Sequence, residues 1–161
     1  MNGDPFLDED YRVLTPEAFE FVLSNELKRA LRSQNYLTLL LVEPTPRPGA
    51  EPTETANDDQ STALRQIARM ISREVRETDL LCRTREGRLS VVLLDADLPN
   101  SMRVIERLLA RFADSEFSTP LDIGVAAACC PTHGADAETL RRAAEARPIH
   151  PARESRSPNA Q

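Results

Sequence analysis

The sequence predicts an α/β (α+β) fold, a sheet packed by helices, and three observations carry that reading. Two apolar runs of strand length, Tyr36 to Glu43 and Leu89 to Leu94, suit strands buried on both faces. Segments opening at Thr15, Ser61 and Pro99 repeat apolar residues at helical spacing. Between them, Arg76 to Leu94 reads as a helix end, a strand, a turn at Glu86 and Gly87, and a second strand; this β-hairpin is the piece around which the rest packs.

Taken in order, Met1 to Asp10 is an acidic lead-in containing Pro5, and the domain itself is expected over residues 11–147. Helix one opens with Thr15 as N-cap, Pro16 at the first helical position and Glu17 in the first turn. Phe19, Val22, Leu23, Leu27, Ala30 and Leu31 give it one apolar face. The strand Tyr36 to Glu43 comes next. Pro44 to Asp59 contains Pro44, Pro46, Pro48, Gly49 and Pro52 without apolar periodicity, and the expectation is a mobile loop. Helix two, Ser61 to Glu77, sets Leu64, Ile67, Ala68, Ile71 and Val75 on one face and Arg65, Arg69, Arg73 and Arg76 on others, bringing Arg76 to the mouth of the hairpin. Helix three, Pro99 to Ala113, faces the core with Val104, Ile105, Leu108, Leu109 and Phe112 and carries Arg103, Arg107 and Arg111 as a stripe at i, i+4 and i+8. Leu121 to Cys130 is a further strand and Asp136 to Ala146 a fourth helix, stopped by Pro148. The remainder of 148–161 is polar, carries Pro151 and Pro158, and is expected to be a disordered tail.

Composition limits the function classes. A chain of 161 residues with 40% hydrophobic content fits one domain with a tail. Its formal charge of −6 argues against a general binder of phosphate backbones, and no nucleic-acid partner is expected. No apolar run approaches membrane-spanning length and Asp4, Asp8, Glu9 and Asp10 interrupt any leader-like stretch, so a soluble cytoplasmic chain with no membrane partner is expected. Three cysteines, Cys82, Cys129 and Cys130, and two histidines, His133 and His150, support neither a disulfide framework nor a zinc site. No metal, cofactor or catalytic nucleophile is expected.

The hairpin with its flanking helices resembles the signature region of the GGDEF domains, the diguanylate cyclase family. The order α-β-α-β-β-α-β-α fits that family's ferredoxin-like antiparallel sheet, and Leu121 to Pro131 resembles its Ser-Ile-Gly-Val-Ala strand, best through Ile123 to Ala126. The resemblance spans Asp8 to Arg147 in framework. The turn that gives the family its name falls on Arg85, Glu86, Gly87, Arg88 and Leu89, and only the apolar last position matches. Glu43 stands where the family's first magnesium-binding Asp lies, but Pro44 and Thr45 come after it in place of the family's second carboxylate segment; Ser61 replaces an Asp that contacts guanine, and the C-terminal Lys is missing. Upstream of the turn, Arg76-x-x-Asp79 has the spacing of the family's product-binding inhibitory motif, and Arg83 matches the Arg before the turn.

The resemblance therefore implies a degenerate GGDEF domain, with no catalytic residues, acting as a receptor for the bacterial second messenger cyclic di-GMP through Arg76 and Asp79. Arg107, with Arg103 as the other candidate, stands on the helix that supplies a further Arg in the family. The chemistry is suitable: an Arg fork takes a phosphate or a guanine O6/N7 edge, and a carboxylate accepts from guanine N1 and N2. An i,i+3 ion pair at a helix end is the plain alternative for Arg76 and Asp79. An alternative for the whole chain is a dimerisation or protein-interaction module whose partner is a second copy or another signalling protein. An active cyclase is the reading hardest to reconcile with Arg88 at the metal position.

Overall fold

The computed structural model describes residues 13–49 and 56–149, with side chains omitted over 56–60. Its elements run α1 Pro16–Ser33, β1 Leu37–Pro46, α2 Ala56–Glu74, β2 Leu80–Arg83, β3 Leu89–Leu94, α3 Leu98–Asp114, β4 Leu121–Cys130, α4 Ala137–Glu145 and β5 Pro148–Ile149. The five strands form one antiparallel sheet in the order β2-β3-β1-β4-β5.

Side-chain alternation on β1 divides the core. Leu40 and Val42 join Leu64, Ile67 and Ile71 of α2 and Ile105 and Leu108 of α3 on one face. Leu37, Leu39 and Leu41 join Leu23 and Leu27 of α1 and Leu140 and Ala144 of α4 on the other. A strand covered on both sides needs apolar residues at successive positions, which is why this segment is a continuous run rather than an alternation. Helices α1, α3 and α4 start at side-chain caps: Thr15 accepts from the Ala18 amide, Asp97 from Asn100 and Asp136 from Thr139. Thr38, fully buried on β1, donates to the Ala96 carbonyl at 2.9 Å and ties down the entry to α3.

Two segments differ from expectation. The stretch expected as a loop from Pro44 begins as strand: β1 pairs with β4 through Thr45↔Asp122 and Pro46↔Leu121, and α2 starts at Ala56 rather than Ser61. Proline is tolerated because β3 ends opposite Val42. The Arg47 amide donates to Pro120 on the β4 side, so by strand alternation the N positions of Pro44 and Pro46 face the side that β3 has left, where no ladder bond is lost. At the other end, Pro148 and Ile149 are not tail but strand β5, paired with Ala126 and Val125. The remaining parts of the expected lead-in, loop and tail, 1–12, 50–55 and 150–161, lie outside the described residues.

The hairpin turn is Thr84 to Arg88, closed by the Thr84 amide donating to Arg88 at 2.8 Å and the Gly87 amide donating to Thr84 at 3.1 Å. Gly87 has φ +86°, the left-handed conformation that a three-residue hairpin loop requires.

Candidate functional site

At the turn between α2 and β2, the Asp79 carboxylate accepts from two backbone amides. One oxygen takes the Arg76 amide at 2.9 Å and the other takes the Leu94 amide at the end of β3 at 3.0 Å. The Arg76 guanidinium also donates to the Leu94 carbonyl and stands 3.8 Å from Asp79. The Asp79 side chain is only 3% exposed and that of Arg76 is 60% exposed. The carboxylate singled out as an acceptor for guanine is an internal staple holding the helix exit to the β2–β3 hairpin, and Arg76 lies over it.

Arg107 lies near the same helix end. It donates through Nε to Glu74 at 3.0 Å, and Arg111 one turn further along α3 donates to the other oxygen of Glu74. Hydrogen bonding from Arg107 is the largest influence that holds the Glu74 carboxyl below the usual range, outweighing the raising effect of its burial. The expected stripe is therefore partly engaged: Arg107 and Arg111 clamp α3 to α2, while Arg103 is exposed with no hydrogen bond or ion pair among the described residues. Arg76, Arg103 and Arg107 are each exposed. Three clefts of about 300, 360 and 630 Å³ among the described residues are lined by other residues.

The cleft of about 360 Å³ lies at the opposite, turn-bearing end of the hairpin, where β1, β4, β5 and α4 meet; Glu43, Arg88, Asp122 and Glu145 line it. Arg88 projects from the turn, with its side chain 20% exposed, and donates to Glu145 at 2.7 Å while standing 3.9 Å from Glu43. Its Nε has no hydrogen-bond partner. Asp122 in turn accepts from Arg47 at 3.4 Å. This donor set does not fit a magnesium ion, which needs carboxylate oxygens free to point at it, because the guanidinium of Arg88 already lies between the two facing carboxylates. Among the described residues no group of three or more His, Cys, Asp or Glu side chains converges on one point. Arg83 donates to the Ser61 hydroxyl at 3.0 Å, so two positions singled out in the sequence meet each other.

Sequence reasoning missed Glu74 and Glu145, and the meeting of Glu145 with Arg88 depends on the sheet order. The cysteines are buried, and burial, ahead of the charge of Glu20, pushes the Cys82 thiol up to about 12. No described helix is long and apolar enough to cross a membrane.

A five-stranded antiparallel sheet with the β2–β3 hairpin at one edge and two helices on each face is the architecture of the GGDEF class. The family model described as "Diguanylate cyclase, GGDEF domain" matches residues 59–151, more than half of the chain, and the chain belongs to the GGDEF domain family. Its fold is similar to the GGDEF domain of TpbB (YfiN) from Pseudomonas aeruginosa, at 22% identity and TM-score 0.69 over 86% of this chain and 84% of that one. It is likewise similar to the FimX GGDEF domain from Pseudomonas aeruginosa, at 14% identity and TM-score 0.73 over 88% and 90%. A third likeness is to the coiled coil and GGDEF domain of DgcB from Caulobacter crescentus in complex with c-di-GMP, at 13% identity and TM-score 0.71 over 88% and 77%. Among curated proteins none matches the chain.

Proposed function

We propose that this GGDEF domain makes no cyclic di-GMP and instead binds it, as a receptor in signalling. The observation that carries the first half is Arg88, whose guanidinium lies between Glu43 and Glu145 at the end of the sheet where a catalytic ion would be needed. A guanidinium there can hydrogen-bond a phosphoryl oxygen but has no open coordination position, so it cannot bind and activate an attacking hydroxyl as a metal ion does.

For the second half, Arg76 and Arg107 present half-exposed guanidinium groups beside one helix end, with Arg103 one turn before Arg107. Cyclic di-GMP offers two phosphates and two guanine edges, each a match for an Arg fork. Asp79 acts in this reading as the positioning residue that fixes the loop under Arg76, with its carboxylate committed to backbone. The relative from Caulobacter crescentus carries c-di-GMP in its solved complex. Loss of one charge-assisted contact in Arg76→Ala should weaken binding by about 1.5–3 kcal/mol, roughly tenfold to a hundredfold.

Calorimetry of the full chain with cyclic di-GMP, set beside incubation with GTP and magnesium followed by chromatography, tests both halves. The expected result is saturable binding without product. Turnover that disappears in Glu43→Ala would overturn the first half. The second would be overturned by a flat titration, which favours the interaction-module alternative, a reading supported by the commitment of Arg107 and Arg111 to Glu74.

A further inference from the structure

We propose that the layer formed by α2 and α3 docks an acidic helix of a partner protein, one that carries carboxylates at four-residue intervals. The two helices, Ala56–Glu74 and Leu98–Asp114, together hold six arginines against five carboxylates, a local charge of +1 in a chain whose total is −6. The positive charge is organised. Arg65, Arg69 and Arg73 recur every four residues on α2, Arg103, Arg107 and Arg111 do the same on α3, and all six are exposed. The two helices cover one face of the sheet, and Glu74, adjacent to Arg73, binds both Arg107 and Arg111. One carboxylate thus locks the helices side by side, engaging Arg107 and Arg111 while all six stripe residues keep exposed surface.

Like charges at i,i+4 each destabilise a helix by a few tenths of a kcal/mol, which Glu74 offsets at Arg107 and Arg111. Arg65, Arg73 and Arg103 have no hydrogen bond or ion pair among the described residues. Four helical residues rise about 6 Å, and a helix with Glu or Asp at i, i+4 and i+8 presents carboxylates at the same pitch. All of the stripe residues are arginine in a chain with a single lysine, Lys28, which suits the paired N–H geometry that takes a carboxylate.

Other polyanions fit less well. Among the described residues the exposed large apolar side chains are Phe21, Leu31 and Tyr36, none on α2 or α3, so the described part of this face offers neither an aromatic platform for bases nor an apolar residue to enter a bilayer. The proposal deepens the receptor reading, because Arg107 and Arg103 serve both ligands and an acidic helix would compete with cyclic di-GMP.

The test is fluorescence anisotropy of the full chain with a labelled Ala/Gln-based peptide of about 20 residues carrying Glu at every fourth position. Its control is an isomer of identical composition with the Glu residues consecutive. The periodic peptide is expected to bind about tenfold tighter than the isomer and to weaken with salt. In the Arg65→Ala/Arg73→Ala variant its affinity should fall about tenfold while cyclic di-GMP binding is unchanged. Equal binding of the two peptides, undiminished binding in the variant, or tighter binding of a DNA duplex or phosphatidylserine vesicles would overturn it. Peptide binding without cyclic di-GMP binding would overturn the receptor reading and leave this one standing; the converse result would do the reverse.

Discussion

Replacing Asp79 with alanine should cost stability before it costs anything else. The carboxylate is almost fully buried and is the acceptor for the Arg76 and Leu94 amides, at 2.9 and 3.0 Å. Alanine leaves both donors without that acceptor, at about 1–3 kcal/mol for each one that water cannot reach. The Arg76 amide lies nearer solvent, so the sum should come to roughly 2–4 kcal/mol. For a domain of this size that lowers Tm by about 5–12 °C. Arg76→Ala removes a side chain that is 60% exposed and should cost under about 1 kcal/mol. Urea unfolding of the two variants, with equal m-values, reads the difference directly. If Asp79→Ala unfolds at the parental midpoint, or Arg76→Ala proves the more damaging, the carboxylate is not a staple, and a direct contact of Asp79 with ligand becomes the better account.

Other expected outcomes rest on single contacts. Glu74, held below the usual carboxylate range first by its hydrogen bond from Arg107, binds fewer protons folded than unfolded; its contribution is full above about pH 5 and is lost as pH falls through the depressed value. Acid titration of Glu74→Gln should therefore show a shallower loss of stability below about pH 4 than the parent. Thr38→Val should cost about 1–3 kcal/mol by leaving the Ala96 carbonyl without its buried donor, measured by thermal unfolding. Leu108→Ala, at a fully buried position, should cost about 2–5 kcal/mol. Cys82, buried and with its thiol pushed up to about 12, should react with a thiol reagent at pH 8 no faster than the chain unfolds; prompt modification in the folded protein would show that the α1 face of the sheet opens locally.

The framework was legible because its signals are local. Thr15-Pro16, Asp136 and the four-residue recurrences fix helices without reference to the rest of the chain, and Gly87 marks a turn only such a residue makes easily. Pro44 and Pro46 misled because whether a proline can sit in a strand depends on which neighbour has ended beside it. Pro148 and Ile149 carry too short a pattern to announce a strand, and only the free edge of β4 gives them a place. At the candidate site, the spacing of Arg76 and Asp79 placed them at one turn but did not give the direction of the carboxylate, which is set by Leu94, fifteen residues away in sequence. The pairing of Arg88 with Glu145 joins residues 57 apart, a relation no window along the chain contains.

The middle position of β1 has a consequence for how the chain reaches this state. Its neighbours come late: Leu37 pairs with Leu94 on one side and with Cys130 on the other. The hairpin β2–β3 and the individual helices close short loops and can form early, whereas the most apolar strand must wait for partners that lie far along the chain. A strand emerging from a ribosome in this order spends the synthesis of several dozen residues with both edges unsatisfied, which is the period when intermolecular pairing competes best. The two prolines at the end of β1 withhold two amide donors from such a pairing. Refolding should accordingly be limited by docking of β4 onto β1, and substitutions in Leu121–Cys130 should slow folding more than equally destabilising ones within the hairpin.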